Sequence, residues 1–461
     1  MDSATAQNLD HNGLPSEPLR QDDGPWRPIH YLGSKLRALP AIEEALQGVS
    51  DEASPVCDLF AGSGTVASWL SRSRPVTAVD IQEYSRIICD AMLNPSQVSL
   101  KVLEVKIAAA ISSSRLTGVL RAARPLIELE EQLLEQSRLG DPSGLADLIE
   151  AGSFMTFRGR HENLLIAEAH SASKRLLSEN DGLADVSTMV FRHFGGVYFS
   201  FEQAAKLDVL LDVVHSLVLE ERRSPLAAIL TTASDIVNTV GKQFAQPIRP
   251  RDKDGRVKRT LYSQVARDRF KDPVAVFFHS MEKYLGLPSH DFNHSAVRSD
   301  YLDFLRSGVF NRGVVYADPP YTRDHYSRFY HALETIALRD DPRISTNTAH
   351  GVTQPSRGVY RVERHQSPFC IRSKAPDAFE QMFAEIASAG LPLVLSYSPY
   401  SSEKDAHPRV MTVDAISDLA KGSFASVEVT SIGGFSHSRL NKAELHKEAS
   451  SEAEFLFICR P

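Results

Sequence analysis

Pro55-Val56-Cys57-Asp58-Leu59-Phe60-Ala61-Gly62-Ser63-Gly64-Thr65 reads as a short buried strand that runs into a glycine turn, and Val66 to Ser71 opens a helix behind it. Val76-Thr77-Ala78-Val79 is a second strand. It ends in Asp80 and is followed by a helix through Ile87 to Met92. A strand, a turn, a helix and a second strand tipped with an acid are the opening of a doubly wound α/β sheet. The turn lets backbone approach a ligand closely, and the helix behind it presents N–H donors. Asp80 lies 18 residues beyond Gly62, where such folds set a carboxylate against ribose hydroxyls. The missing third glycine and the acidic Asp58 argue against a pyrophosphate. They suit a cationic amino-acid nucleoside better.

The pattern returns two-thirds of the way along the chain. Gly313-Val314-Val315-Tyr316-Ala317 is an apolar run that delivers Asp318-Pro319-Pro320-Tyr321. Two prolines at a strand end remove two backbone donors, so a rigid turn is wanted there. The carboxylate and a carbonyl held by the prolines accept two N–H bonds, and the tyrosine offers a ring face. That is equipment for gripping an exocyclic amino group on a flat ring. Asp300, 18 residues upstream of Asp318, ends another strand-like run. It reads equally as a helix cap and as an acceptor for a bound adenine. Near the start, His30-Tyr31-Leu32-Gly33-Ser34-Lys35 precedes a helix from Leu36 to Leu46. By itself this segment is a plain helix start with a surface lysine. Beside the other motifs, Tyr31 is placed to pack on an adenine and Lys35 to meet a carboxylate.

The rest of the chain organises around these motifs. Its 461 residues exceed one small domain, and 42% hydrophobic with 24% charged residues is ordinary for a soluble protein. No apolar run approaches the roughly 18 residues of a membrane span. Residues 1–25 are polar and read as a disordered tail, not a signal peptide. Residues 97–290 look mainly helical, with stretches at Leu103–Ala123, Leu126–Leu139, Ala167–Leu177, Phe201–Leu219 and Pro225–Val240. We read them as an insertion between a first catalytic part, 26–96, and a second, 291–461. The second part adds a strand at His294–Val297, a helix at Asp377–Ala389, a strand at Leu391–Ser398, and a closing antiparallel pair, Val427–Ile432 with Glu454–Cys459. Cys57, Cys89, Cys370 and Cys459 have neither disulfide nor metal spacing, which suits free thiols in a reducing cytoplasm.

Tyr31-x-Gly-Ser-Lys35, the Asp58–Thr65 turn, Asp80 and Asp318-Pro-Pro-Tyr321, in this order, resemble the adenine-specific DNA methyltransferases of the DNA adenine methylase type. The matched parts are roughly Pro28–Asp90 and Asn293–Pro461. The resemblance implies a Rossmann-like sheet of seven strands with one reversed, and S-adenosylmethionine as methyl donor without a metal. It carries Tyr31, Lys35, Asp58, Phe60, Gly62, Gly64, Asp80, Asp300 and Asp318 over as donor contacts. Asp318, Pro319, Pro320 and Tyr321 would hold the target adenine, flipped out of the duplex. The insertion, read by its position as a target-recognition domain, is larger than in compact members of that family.

A net charge of −7 gives no global basic signature, so a DNA surface has to be local. One basic stretch is Arg249, Arg251, Lys253, Arg256, Lys258 and Arg259, beside Gln243 and Gln246. Another runs through Arg343, Arg357, Arg361, Arg364, Arg372 and Lys374. Arg323 and Arg328 follow the acid-proline turn, among aromatic residues at the expected pocket mouth. These are candidate phosphate contacts, with the glutamines as weak candidates for reading an adenine edge. Three alternatives stay open: adenine-N6 transfer to RNA, cytosine-N4 transfer, and a non-catalytic binding subunit. A restriction or phage-defence nuclease is a candidate partner. The recognised sequence is not legible.

Overall fold

The protein is described here from a computed structural model that covers residues 26–33, 35–179, 183–288, 292–322, 326–349, 351–398, 409–433 and 452–461. The tail expected to be disordered, 1–25, lies outside them, as do Ser34 and Arg323. Chain order begins with α1 (Leu39–Gln47), β1 (Val56–Asp58), α2 (Thr65–Leu70), β2 (Val76–Asp80) and α3 (Glu83–Leu93). Nine helices follow among the described residues: α4 (Leu100–Thr117), α5 (Val119–Arg138), α6 (Ser143–Ala151), α7 (Leu164–Glu179), α8 (Met189–Phe194), α9 (Phe201–His215), α10 (Leu219–Ile236), α11 (Leu261–Arg269) and α12 (Pro273–Leu285). The sheet then resumes with β3 (Ser295–Arg298), α13 (Tyr301–Arg306) and β4 (Val314–Ala317). After α14 (Tyr326–Phe329) and α15 (His331–Leu338) comes a separate hairpin, β5 (Thr346–Ala349) with β6 (Val352–Pro355). α16 (Ala375–Ser388), β7 (Leu393–Tyr397), α17 (Val413–Lys421), β8 (Ser426–Gly433) and β9 (Glu452–Arg460) complete it.

The seven-stranded sheet runs β3-β2-β1-β4-β7-β9-β8. β3, β2, β1, β4 and β7 pair in parallel, while β9 is antiparallel to both β7 and β8. One strand is therefore reversed, and the Rossmann-like methyltransferase sheet expected from the motifs is present. Alternation along each strand sends side chains to two faces. Cys57, Val79, Val315, Leu395 and Phe457 pack under α13, α16 and α17. Val56, Ala78, Val314, Val394 and Leu456 pack under α1 and α2. A third, larger core joins the helical block to α3 and α15.

Helix limits differ from the sequence expectation most clearly around Gly118 and Pro225, each for a local reason. The single helix expected over Leu103–Ala123 is two, because Gly118 adopts extended backbone (φ −96°, ψ −153°) and separates α4 from α5. The helix expected to begin at Pro225 begins at Leu219. Pro225 has no N–H for the carbonyl of Glu221, and the Ser96 hydroxyl donates to that carbonyl instead (3.2 Å). The expected helix Phe201–Leu219 correspondingly ends at His215. The β5–β6 hairpin was not anticipated.

Chain order reverses between β1 and β4, so a crevice opens beyond the carboxyl ends of these strands. Asp80, Asp58 and Asp318 end three adjacent strands there, and Asp300 follows the fourth, β3. Gly313 sets the approach of β4 to β1. Its φ is +102°, and a Cβ there would lie 2.1 Å from the carbonyl oxygen of Pro55, which accepts the Val314 N–H at 3.0 Å. Gly313→Ala is predicted to destabilise the fold by about 2 kcal/mol. An unchanged urea midpoint in the variant would contradict this.

Candidate active site

The crevice is a cavity enclosing about 1230 Å³ of empty space, its open mouth included. Tyr31, Lys35, Asp58, Phe60, Gly62, Asp80, Asp300, Asp318, Pro319, Pro320 and Tyr321 all line it, so residues that the sequence scatters over 290 positions meet in one place. Gly64 sits just behind the wall with φ +74°, and a Cβ there would crowd Met92 and Cys89 at 3.1 and 3.2 Å. At Gly62 (φ +52°) a Cβ would lie 2.7 Å from the Tyr31 hydroxyl oxygen. The turn therefore needs glycine at both positions, once for the loop's path and once for the ring opposite.

Backbone hydrogen bonds fix the floor. Leu59 N–H donates to Tyr316 O (2.9 Å) and Ala61 N–H to Val79 O (3.0 Å), tying the turn to both neighbouring strands. Asp80 accepts from Gly62 N–H at 2.9 Å and Gln82 N–H at 2.8 Å. Asp300 caps α13, as one of its two readings expected, by accepting from Leu302 N–H (2.9 Å), and it also lines the cavity. Tyr31 stacks on Tyr330, with centroids 4.9 Å apart and planes 16° from parallel. The Tyr330 hydroxyl accepts Leu32 N–H at 2.8 Å, anchoring the segment before α1.

The electrostatics are lopsided. Asp58 is 1% exposed, and neither of its oxygens has a hydrogen-bond partner of normal geometry. Burial, then Asp318 and Asp80, push its carboxyl up to about 8, against a weaker pull from the amides of Phe60 and Ala67. Asp80 is also raised, by burial, while the Gln82 and Gly62 amides hold it down. Lys35 is buried, with its ammonium 3.1 Å from Asp318 Oδ1 and 3.1 Å from Glu454 Oε1. Burial works to lower its pKa, but the two carboxylates outweigh burial and hold it well above the ordinary value.

Two expectations read differently in three dimensions. Lys35 was expected to face a ligand carboxylate, yet its ammonium already lies between two protein carboxylates. Tyr321 was expected to offer a free face. Its ring is 6% exposed, with Tyr397 at 5.0 Å, the Arg409 guanidinium 5.0 Å from its centroid and the Lys35 ammonium at 5.3 Å. Arg409 is brought there by backbone pairing, with Val410 N–H donating to Tyr321 O at 3.1 Å. Sequence reasoning missed Glu454, Tyr84 and the segment His365-Gln366-Ser367, all at or beside the cavity, whereas Tyr326 lies among the aromatic residues expected at the mouth. Only Glu454 carried a signal, as a lone acid leading an apolar strand.

The basic residues separate into paired and unpaired sets. Arg251 is spent on Asp147 (2.6 Å) and Glu150 (3.0 Å), Arg343 on Glu363 (3.0 Å), and Arg361 on Asp340 (2.7 Å). Arg357 donates to Ile248 O (2.6 Å). Arg249, Lys253, Arg256 and Arg259 are exposed, and Lys258 half-buried, around a narrow turn closed by the Arg251–Val257 bridge, with Arg256 also 4.0 Å from Asp254. Arg372 and Lys374 are also exposed. Gln243 is buried and faces no solvent, whereas Gln246 is exposed. Arg328, beside the mouth on α14, and Arg364 lie 5.6 and 5.2 Å from the Tyr360 ring centroid. Neither has an ion-pair partner among the described residues. Burial, then Arg328, holds Arg364 below its ordinary pKa.

Residues 31–115, which include Tyr31, Lys35, the glycine turn and Asp80, match the family model of the D12 class N6 adenine-specific DNA methyltransferases. The chain is 33% identical to the modification methylase LlaI of Lactococcus lactis subsp. lactis over 406 residues, 85% of this chain and 48% of that protein. It is 23% identical to the type II methyltransferase M.FokI of Planomicrobium okeanokoites over 364 residues, 77% of this chain and 42% of that protein. The chain thus spans about half the length of the curated relatives it matches. Among the described residues no group of His, Cys, Asp and Glu is arranged to hold a metal, and no helix is long and apolar enough to cross a membrane.

Asp58 supplies a stability test of this cavity. Its carboxyl binds a proton more readily folded than unfolded, so its contribution is present at acid pH and is lost as pH rises from about 4 towards 8. Asp58→Asn is expected to be more stable than the parent at pH 8, by about 1 kcal/mol or more, with a smaller gain at pH 5. Thermal melts at the two pH values check this, and an equal shift at both would refute it.

Proposed function

We propose that this chain transfers a methyl group from S-adenosylmethionine to the N6 amino group of adenine in DNA. The observation that carries the reading is the placement of Asp318 on the wall of the same cavity as the glycine turn, Asp58 and Asp80. The donor site and the amino-group acceptor are one continuous space. S-adenosylmethionine would supply an activated methyl group on a sulfonium centre. The residues fit such a ligand, because the buried carboxyl of Asp58, raised by burial and by neighbouring acids, gains when a cation meets it. Asp80 is available to ribose hydroxyls, and Tyr31, Phe60 and Asp300 to the adenine ring and its amino group.

Asp318 and the carbonyl of Pro319 would accept the two N–H bonds of the target amino group. This draws the nitrogen lone pair out of conjugation and stabilises positive charge as it develops there. The prolines keep these acceptors from rotating away. Alignment of two bound molecules then supplies most of the rate. An adenine in a duplex cannot enter the cavity, so it has to be extruded, and stacking on Tyr321 requires Arg409 to leave the ring face.

For the duplex, the exposed cations Arg249, Lys253, Arg256 and Arg259 and the half-buried Lys258 belong to the region 97–290, which we read as the target-recognition part. Their segment is tied to the mouth, since Phe244 N–H donates to Phe329 O at 3.0 Å and the Tyr360 hydroxyl to Ala245 O. Two guanidiniums held near one ring without a carboxylate, Arg328 and Arg364, suit a phosphate beside the extruded nucleotide. The relatives' names support reading this chain as the modifying half of a restriction-modification pair. The four buried free cysteines suit a reducing cytoplasm.

Asp318→Ala should lower labelled methyl transfer to duplex DNA by about 100-fold or more while circular dichroism stays native. Retained turnover in a folded variant would remove Asp318 from the chemistry. Replacing Arg328 and Arg364 together by alanine should weaken DNA binding and flatten the salt dependence, by about 0.9 in log–log slope for each lost phosphate contact. An unaltered slope would take both residues out of the interface.

A further inference from the structure

The β5–β6 hairpin stands apart from the main sheet, and its two faces carry different chemistry. We propose that this ribbon enters the major groove of the DNA duplex, where Asn347 and Gln354 read an A·T base pair beside the target adenine. The inference rests on DNA as the substrate, and it places part of the sequence recognition outside residues 97–290.

Register fixes the two faces. Asn347 stands opposite Gln354, and Val352 lies two residues from Gln354, so these three share one side of the ribbon. Thr348 and Thr353 take the other side, where their hydroxyls hydrogen-bond each other at 3.0 Å. The threonines are thus satisfied within the hairpin, whereas neither carboxamide has a hydrogen-bond partner among the described residues. Thr346, Asn347, Thr348, Val352, Thr353 and Gln354 are all exposed, so neither face is turned to the core. A lone two-stranded hairpin is marginal in water, and this one is braced at its root. Ser345 N–H donates to Tyr360 O and Ser356 N–H to Ser345 O, both at 2.7 Å, and the Arg158 guanidinium donates to Thr353 O at 3.2 Å.

The root stands at the mouth of the cavity. Tyr360 is the ring beside Arg328 and Arg364, and His365, Gln366 and Ser367, a few residues further on, line the cavity wall. Charge favours a polyanion, since no acidic residue lies between Ile344 and Ser356. Arg158, which touches the ribbon, and Arg160 are exposed and have no ion-pair partner among the described residues. The major groove admits a two-stranded ribbon. A carboxamide there can accept from adenine N6–H and donate to N7, and an apolar side chain such as Val352 meets the thymine methyl group.

Binding selection tests this without relying on turnover. The full chain, with S-adenosylhomocysteine, is offered duplexes randomised around one adenine, and the retained DNA is sequenced. In the Asn347→Ala/Gln354→Ala variant, preference for an A·T pair at one position should fall about tenfold, with preferences elsewhere within about twofold of wild type. Thr348→Ala/Thr353→Ala, on the opposite face, should leave every preference within about twofold of wild type. Unchanged preferences in the folded carboxamide variant would overturn the inference, as would an equal loss at all positions or the same loss in the threonine variant. A wild-type protein that selects no sequence overturns it as well. Should the double variant fail to fold, Asn347→Ala and Gln354→Ala are read singly by the same criteria. Labelled methyl transfer to the selected duplex is a separate readout. Wild-type protein that selects duplexes yet methylates no adenine in them defeats the functional reading and leaves the role of the hairpin standing.

Discussion

A buried ammonium ion held between two carboxylates organises this molecule's centre. Lys35 comes from the segment before α1, Asp318 from the end of β4 and Glu454 from β9. A charge so deep in the protein is tolerated only where its partners are rigid, and each here is. Asp318 leads two prolines, Glu454 sits in a strand paired on both sides, and Lys35 follows a loop pinned by the Tyr31–Tyr330 stack. The cation therefore joins the sheet to the helix that covers it, at the point where the crevice opens.

Around that ion the cavity is an acid-rich cleft. Parallel strands order their ends by topology, so Asp80, Asp58 and Asp318 appear side by side because β2, β1 and β4 are neighbours. Burial, then repulsion from Asp318 and Asp80, raises Asp58, whereas burial raises Asp80 and the amides of Gln82 and Gly62 offset part of it. Such a cleft stores unfavourable energy in the absence of a cation, a common way for a binding site to trade stability for affinity.

Much of this was legible in the sequence because sheet strands in this fold are short apolar runs with sharp ends. Val56–Asp58, Val76–Asp80 and Val314–Ala317 are bounded by glycine, proline or acid, and their carboxyl-terminal residues announce the crevice. The exposed β5–β6 hairpin was not legible, since Thr-Asn-Thr and Val-Thr-Gln carry no apolar face to mark a period. Gly118 and Pro225 shifted helix limits through neighbours distant in sequence or backbone angles that a periodicity count ignores. Glu454 stayed hidden for a different reason. Its meaning comes entirely from Lys35, far away in the chain, and from a hydroxyl on the adjacent strand. The cover on Tyr321 was likewise out of reach, because Arg409 arrives through backbone pairing that side-chain types do not encode.

Strand β9 is synthesised after every other strand of the sheet, yet it takes an interior place between β7 and β8. A nascent chain that has emerged only as far as β8 would have a gap in its sheet and a lone lysine–aspartate couple at its heart. Sheet closure and completion of the ionic cluster therefore coincide in time, so a ribosome-stalled or clipped product that lacks residues 452–460 would be misassembled and would leave Lys35 without its second carboxylate.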